Sequence, residues 1–449
     1  MFGMLRNALL CTAMTIAFVL PAQAKGKTLV TLDGSNGEDV FASPTPGSDG
    51  NLYGTTVFGG ANGEGTIFRL TPKGKYTLLY SFCSQSSCTD GANGEWLTEG
   101  ADGNFYGQTY SGGSANEGAI FEITPGGKFT SLYSWCSQTN CTDGANPQSA
   151  FVETSDGSFW GTTIGGGANN EGTVFKFVPG KAPTIVYSFC SQSGCTDGSN
   201  PFTGLALASD GNFYGVTAEG GSGGTYCGLS GYGCGTVFRI TPKGALTTLY
   251  TFCTQSGCMD GGIPQGQLIQ AKDGDLYGTT DVGGVQQYGG NGQGTIFKIS
   301  LKGKLATLYR FCPGSNCSDG IDPTAGVIQG TDGNFYGTTQ LGGPEGWGNV
   351  YRLTGKGKLT SVYSVNDTDG ASIAAGVVQA SNGRLYGGST EGGNTSCSEG
   401  CGVIFDASPK GKQAATGRAV TIPADMPRPA GPVTPLSLLH RREQQQTGE

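Results

Sequence analysis

Short apolar runs alternate along this chain with Gly-rich polar turns, and the arrangement comes back seven times. One copy runs from Asp49 to Cys88. Leu52 to Thr56 is a run of strand formers around Gly54, Gly59-Gly60 breaks it, and Thr66 to Leu70 resumes it. Pro72-Lys73-Gly74 turns the chain, and Tyr76 to Phe82 is a further run. A segment ahead of the next Asp-Gly turn, such as Gly266 to Ala271, supplies a fourth strand. No stretch of the repeat region holds apolar residues at helical spacing. Four antiparallel strands per copy make one propeller blade.

Tyr53, Tyr106, Trp160, Tyr214, Tyr277, Tyr336 and Tyr386, each followed by Gly, mark the seven copies. Successive marks lie 53, 54, 54, 63, 59 and 50 residues apart. A period of this length decides the architecture before any local motif. The seventh copy stops after Gly402 to Ala407, short of its outer strand, and a matching run stands at the other end as Thr28 to Leu32. A blade shared between both ends closes a circle and hides a sheet edge. The sequence predicts an all-β fold, a seven-bladed β-propeller closed by an N-terminal strand that completes the last blade. A β-solenoid leaves this permutation unexplained.

The ends differ in character. Arg6, the apolar run Ala8 to Leu20 and Ala22-Gln23-Ala24 make residues 1–24 a signal peptide. That apolar run is shorter than the roughly 20 residues of a spanning helix. The propeller is expected over 25–412, and 413–449, with Pro423, Pro427 and Pro429, reads as a disordered Pro-rich tail. The expected address is secreted or periplasmic, without membrane insertion. Once Arg6 is removed, 25 basic side chains face 34 acidic ones. That excess argues against nucleic acid or an anionic membrane surface as partner.

Cysteine spacing changes the picture further. Fourteen cysteines of the mature chain fall into seven close pairs. Five recur after the Tyr-Ser-Phe strand: Cys83 with Cys88, Cys136 with Cys141, Cys190 with Cys195, Cys253 with Cys258, and Cys312 with Cys317. Two more, Cys227 with Cys234 and Cys397 with Cys401, sit in other loops. In an exported chain such pairs read as disulfides. Zinc is the competing reading, but it wants four ligands, and these pairs are assigned to separate blades.

The repeat DGN-(Leu/Phe)-YGTT-x2-GG, then G-T-(Ile/Val)-F-x-(Ile/Leu)-T-P-x-G, then L-Y-S-F resembles the GloVer tandem repeat of secreted bacterial proteins, over about residues 28 to 410. The resemblance implies an exported repeat protein and brings no activity with it. Likeness to kelch- or NHL-type propellers is one of architecture, and a fold does not carry a function.

No catalytic set stands out. The one histidine, His440, lies in the tail, so a Ser-His-Asp or Cys-His mechanism lacks a base in the ring. No cofactor motif is present. Two Asp series recur, one at the hairpins (Asp49, Asp102, Asp156, Asp210, Asp273, Asp332) and one opening the blade-to-blade loops (Asp33, Asp90, Asp143, Asp197, Asp260, Asp319, Asp369). Both suit turn capping.

Function is expected where the repeat breaks. The second-to-third strand loops and the blade-to-blade loops are long and emerge on one face, which is how a scaffold presents a surface. Blades four to seven depart there from the uniform pattern, with Glu219, Tyr226, Tyr232, Asp281, Tyr288, Glu345, Trp347 and Glu391. Aromatics beside carboxylates suit sugar stacking and hydroxyl hydrogen bonds. The reading is an exported, disulfide-stiffened binding or interaction module, with polysaccharide or another envelope protein as partner. An extracellular carbohydrate-active enzyme using paired carboxylates and a structural envelope protein stay open as alternatives.

Overall fold

The computed structural model describes residues 26–222, 227, 233–284, 292–314 and 316–407. The expected signal peptide, the Pro-rich tail, Tyr226, Tyr232 and Tyr288 lie outside the described residues.

Seven four-stranded antiparallel sheets surround a central channel, giving a seven-bladed propeller. Blade one runs from the inner Thr45–Pro46 through Leu52–Thr56 and Thr66–Leu70 to the outer Tyr76–Ser81. Blade seven takes Val378–Gln379, Leu385–Gly388 and Val403–Ala407 from the end of the chain and its outer strand, Lys27–Thr31, from the start. Lys27 pairs with Asp406 and Thr31 with Val403. The strand missing from the seventh repeat is found where the sequence placed it.

The second strand is buried at all five positions, because neighbouring sheets cover both of its faces. Its central Gly54 has a packing reason: a Cβ there would lie 2.4 Å from Cζ of Phe68, so the ring of the next strand needs the space. The core therefore lies between blades. Tyr53, Ile67 and Phe82 of blade one pack with Leu97, Phe105 and Phe121 of blade two. Tyr53 stacks on Phe105 at 4.0 Å, Trp160 on Phe213 at 4.3 Å and Tyr277 on Phe335 at 4.1 Å. Each such pair adds about 0.5–1.5 kcal/mol beyond the area it buries.

A backbone clasp joins every blade to the next. The N–H of Asn93 donates to the carbonyl of Glu64, Asn146 to Glu117, Asn200 to Glu171, Ser372 to Trp347, and Asp39 to Cys401 across the closing seam. The donor has positive φ in every blade, a conformation Asn and Asp tolerate best. Ser372 and the β-branched Ile263, at φ 51°, are the exceptions.

Both Asp series serve their own turns. Asp49 accepts from the Asn51 N–H at 3.0 Å and the Tyr53 hydroxyl at 2.8 Å. Asp90 accepts from the Tyr80 hydroxyl and from the N–H groups of Ser84 and Gln85.

The seven expected disulfides are present. Cys83 is bonded to Cys88, Cys136 to Cys141, Cys190 to Cys195, Cys253 to Cys258 and Cys312 to Cys317, each closing the loop that leaves an outer strand. Cys227 is bonded to Cys234 and Cys397 to Cys401. In the recurring pairs Cys88, Cys141, Cys195 and Cys258 end a single 3-10 turn.

One expectation about the cysteines fails. Cys227, Cys234, Cys253 and Cys258 are not apart: their four sulfurs lie within 4.8 Å of one another, all buried. Cys234 precedes the third strand of blade four and Cys253 follows its fourth, and those strands pair Thr236 with Thr251 at the same end. As two disulfides these sulfurs leave no thiolate for a metal. Among the described residues no helix is long and apolar enough to cross a membrane.

Candidate functional site

The inner strands are two residues long in six blades, so the segments just ahead of them line the channel as irregular backbone. Every blade contributes to a cavity of ≈ 190 Å³. Phe41 and Ser43 come from blade one, Trp96 from blade two, Gln148 from blade three and Phe202 and Thr203 from blade four. Gln265 and Gln267, Thr324 and Val327, and Ala374 and Val377 complete the ring. The lining is mostly apolar, with three aromatic rings on blades one, two and four.

Three of its polar groups are incomplete. Gln148 Nε2, Gln265 Nε2 and Thr203 Oγ1 are buried with no hydrogen-bond partner among the described residues. Gln267, by contrast, donates through Nε2 to the Leu205 carbonyl at 3.0 Å and so ties blade five to blade four. A buried donor left unmade costs about 1–3 kcal/mol.

Behind Trp96 lies a second irregularity. The carbonyl of Glu95 accepts from Thr55 Oγ1, as those of Ser149, Thr203, Ala325 and Ala375 accept from the preceding blade. Glu95 thus stands where other blades carry a small residue. Its carboxyl group is fully buried, and neither oxygen has a partner among the described residues. Burial pushes it well above the usual carboxylate range.

The described residues among those expected from the repeat breaks differ in their surroundings. Glu219 is buried and pairs through its backbone with Ser199; its charge, after burial, raises the Glu171 carboxyl. Trp347 packs partly buried against the core around Tyr336 and Val350, and its carbonyl holds Ser372. Glu391 pairs with Ala371 of the same segment, so Trp347 and Glu391 flank the seam between blades six and seven. Glu345 is exposed, its N–H donating to Ser364 Oγ at 3.1 Å.

Asp281 needs a correction. In the blade-five loop Val282, paired with Gly262, holds the place of Glu219 and Glu391, and Asp281 stands one residue earlier. A slip of one residue turns a side chain to the opposite side of a strand. Asp281 is buried, as Glu219 is, and burial first, then the charge of Asp322, hold its carboxyl well above the usual range.

The Gloeobacter/Verrucomicrobia repeat model matches residues 1–228 and 285–437. No curated protein matches the chain. Among solved structures, a gluconolactonase from Xanthomonas campestris is 13% identical, with 85% of this chain and 89% of that one covered and a TM-score of 0.39. The PQQ-bound aldose sugar dehydrogenase of Streptomyces coelicolor is 14% identical over 70% of this chain and 93% of its own, at a TM-score of 0.43. A luciferin-regenerating enzyme is 12% identical, covers 86% and 96%, and has a TM-score of 0.43. The repeat model covers most of the chain, and the copies it describes close into one ring. This chain belongs to the Gloeobacter/Verrucomicrobia repeat family.

Proposed function

We propose that this protein is an exported binding module that takes a small polyhydroxylated ligand, about one sugar ring in size, into its central channel. One observation carries the reading: unpartnered polar atoms of Gln148, Gln265 and Thr203 belong to residues that share a lining with Phe41, Trp96 and Phe202. Aromatic faces take the apolar side of a sugar, and amides and hydroxyls take its hydroxyl groups. The volume falls below the roughly 300–1,000 Å³ of a drug-sized pocket, so an oligosaccharide does not fit inside. Seven disulfides support the exported assignment, since such bonds persist in oxidising compartments. The rim residues Glu219, Trp347 and Glu391 stand on the loop-rich face through which a ligand enters.

The test is a screen of monosaccharides and polyols against the mature protein by calorimetry, repeated with Trp96→Ala and Gln265→Ala. A channel ligand should lose about 1–3 kcal/mol of affinity in Trp96→Ala, within the range of binding hot spots. A hit that both variants bind like wild type, and that Trp347→Ala weakens, moves the site to the rim. A protein that binds none of these compounds overturns the reading.

A further inference from the structure

The basic side chains of the propeller are sorted by face, although exposed hairpin aspartates share the basic face. The second-to-third strand loops and the blade-to-blade loops contain no Lys, Arg or His in any blade. At the other end of the strands, the third-to-fourth turns contain no Asp or Glu. Each of the first six blades carries an exposed lysine there: Lys73, Lys128, Lys181, Lys243, Lys302 and Lys356. Blades one, five and six add a second. None of these ammonium groups makes an ion pair among the described residues, where the paired cations are Lys176, Lys298 and Arg384.

The turns stand level. Third and fourth strands pair in one register, Leu70 with Tyr76, Ile123 with Phe129, Ile240 with Leu246 and Leu353 with Leu359. The turns are closed by a backbone bond, as from the Gly74 N–H to the Thr71 carbonyl at 2.9 Å. These are also the two outermost strands, so the lysines ring the perimeter of one flat face. The hairpin aspartates lie about 10 Å further in, two strand spacings away, and are engaged locally, Asp49 by Asn51 and Tyr53 and Asp156 by Lys176.

The overall negative charge does not cancel this ring. The acidic loops lie beyond the far end of five-residue strands, at least ~17 Å away. The screening length at physiological salt is only about 8 Å. Each face therefore acts separately, and net charge alone misjudges the lysine face.

We propose that the lysine ring is a docking surface for an anionic lipid bilayer, on which the propeller lies flat as a peripheral protein. The choice of a bilayer rests on shape. A level perimeter of cations matches an extended plane of phosphates, whereas a single acidic polymer asks for a continuous track across the face. Each lysine near such a surface strengthens binding roughly fivefold.

The experiment is cosedimentation of the mature protein with vesicles of phosphatidylcholine alone and of phosphatidylcholine mixed with phosphatidylglycerol, at low and physiological salt. Binding is expected to the mixed vesicles only, and to weaken as salt rises. Changing Lys73, Lys128, Lys181, Lys243, Lys302 and Lys356 to Gln should lower it on the order of ten-thousandfold. A triple variant at Lys73, Lys181 and Lys302, less demanding on folding, should lose roughly a hundredfold. Absence of binding at low salt, or a sixfold variant that binds like wild type, overturns the proposal. So does binding to a soluble acidic polysaccharide without vesicle binding, or salt-sensitive self-association without it.

Discussion

Blades two and three carry nearly the same repeat, yet their inner segments differ by one residue. Blade two reaches from Asp90 to Asp102 where blade three needs Asp143 to Asp156. In blade three the inner strand is only Val152–Glu153, while in blade two pairing extends over Ala92–Glu99 with a shift between Gly94 and Leu97. The shortened segment presents Trp96 to the channel and Glu95 to the interior, where blade three has Ala150 and Ser149. The Ser149 hydroxyl is served there: it accepts the Thr162 N–H and donates to the Thr162 carbonyl. The Glu95 oxygens have no such partners among the described residues. A repeat can thus be broken inside a blade, with no lengthened loop to announce it.

The comparison is broken or sharpened by substitution, and the largest effect is expected in blade three. Trp160 stands where blade two has Tyr106, and it is buried against Phe213. Trp160→Ala should cost about 3–5 kcal/mol in urea unfolding, the usual range for a buried aromatic. Wild-type stability in that variant would show that the blade seam does not depend on the ladder of rings.

Next comes Glu95. Its ordinary value is 4.5, and the fold raises it. The native state therefore keeps the proton at pH values where the unfolded chain releases it. Stability falls as pH climbs from 4.5 toward the raised value, by up to ~1.4 kcal/mol per unit. Glu95→Ser, which copies blade three, should flatten that slope and be more stable than wild type at neutral pH. Melting curves at several pH values read the result, and parallel slopes in the two proteins would remove Glu95 from the account.

The smallest effect sharpens the same pair of blades. Tyr106 donates its hydroxyl to Asp102 at 3.0 Å, a bond Trp160 cannot make. Asp156 takes Ser158, Thr154 and Lys176 instead. Tyr106→Phe should cost about 0.5–1.5 kcal/mol, the net worth of one hydrogen bond. No loss on denaturant titration would mean that blade two, like blade three, does without it.

The fold was legible because each blade writes its strands in the same order and the outer strand is visibly absent from one end and present at the other. The disulfides were legible for the same reason: Cys141, Cys195 and Cys317 each recur at one spacing from the cysteine that follows the outer strand. The site was less so. Inner strands such as Ile269–Gln270 are too short to show alternation, so the residues lining the channel carry no pattern of their own. Loop breaks drew attention to Glu219, Asp281, Trp347 and Glu391, and Asp281 was aligned one position out of register. A signal for blade two existed in the shortened distance between its two aspartates. It required counting within the repeat rather than looking for insertions.

The shared blade also sets an order of assembly. Lys27 cannot find its partner until Asp406 has been made, so the ring cannot be fastened before both ends of the propeller are available. Chain length itself adds little to the entropy of such a closure, since that cost grows only logarithmically. Contacts this distant in sequence do slow folding. Until the latch closes, Val403–Ala407 offers an open edge, and the first strand of a neighbouring copy fits it as well as its own. Strand exchange between molecules is the misassembly built into this way of closing a ring.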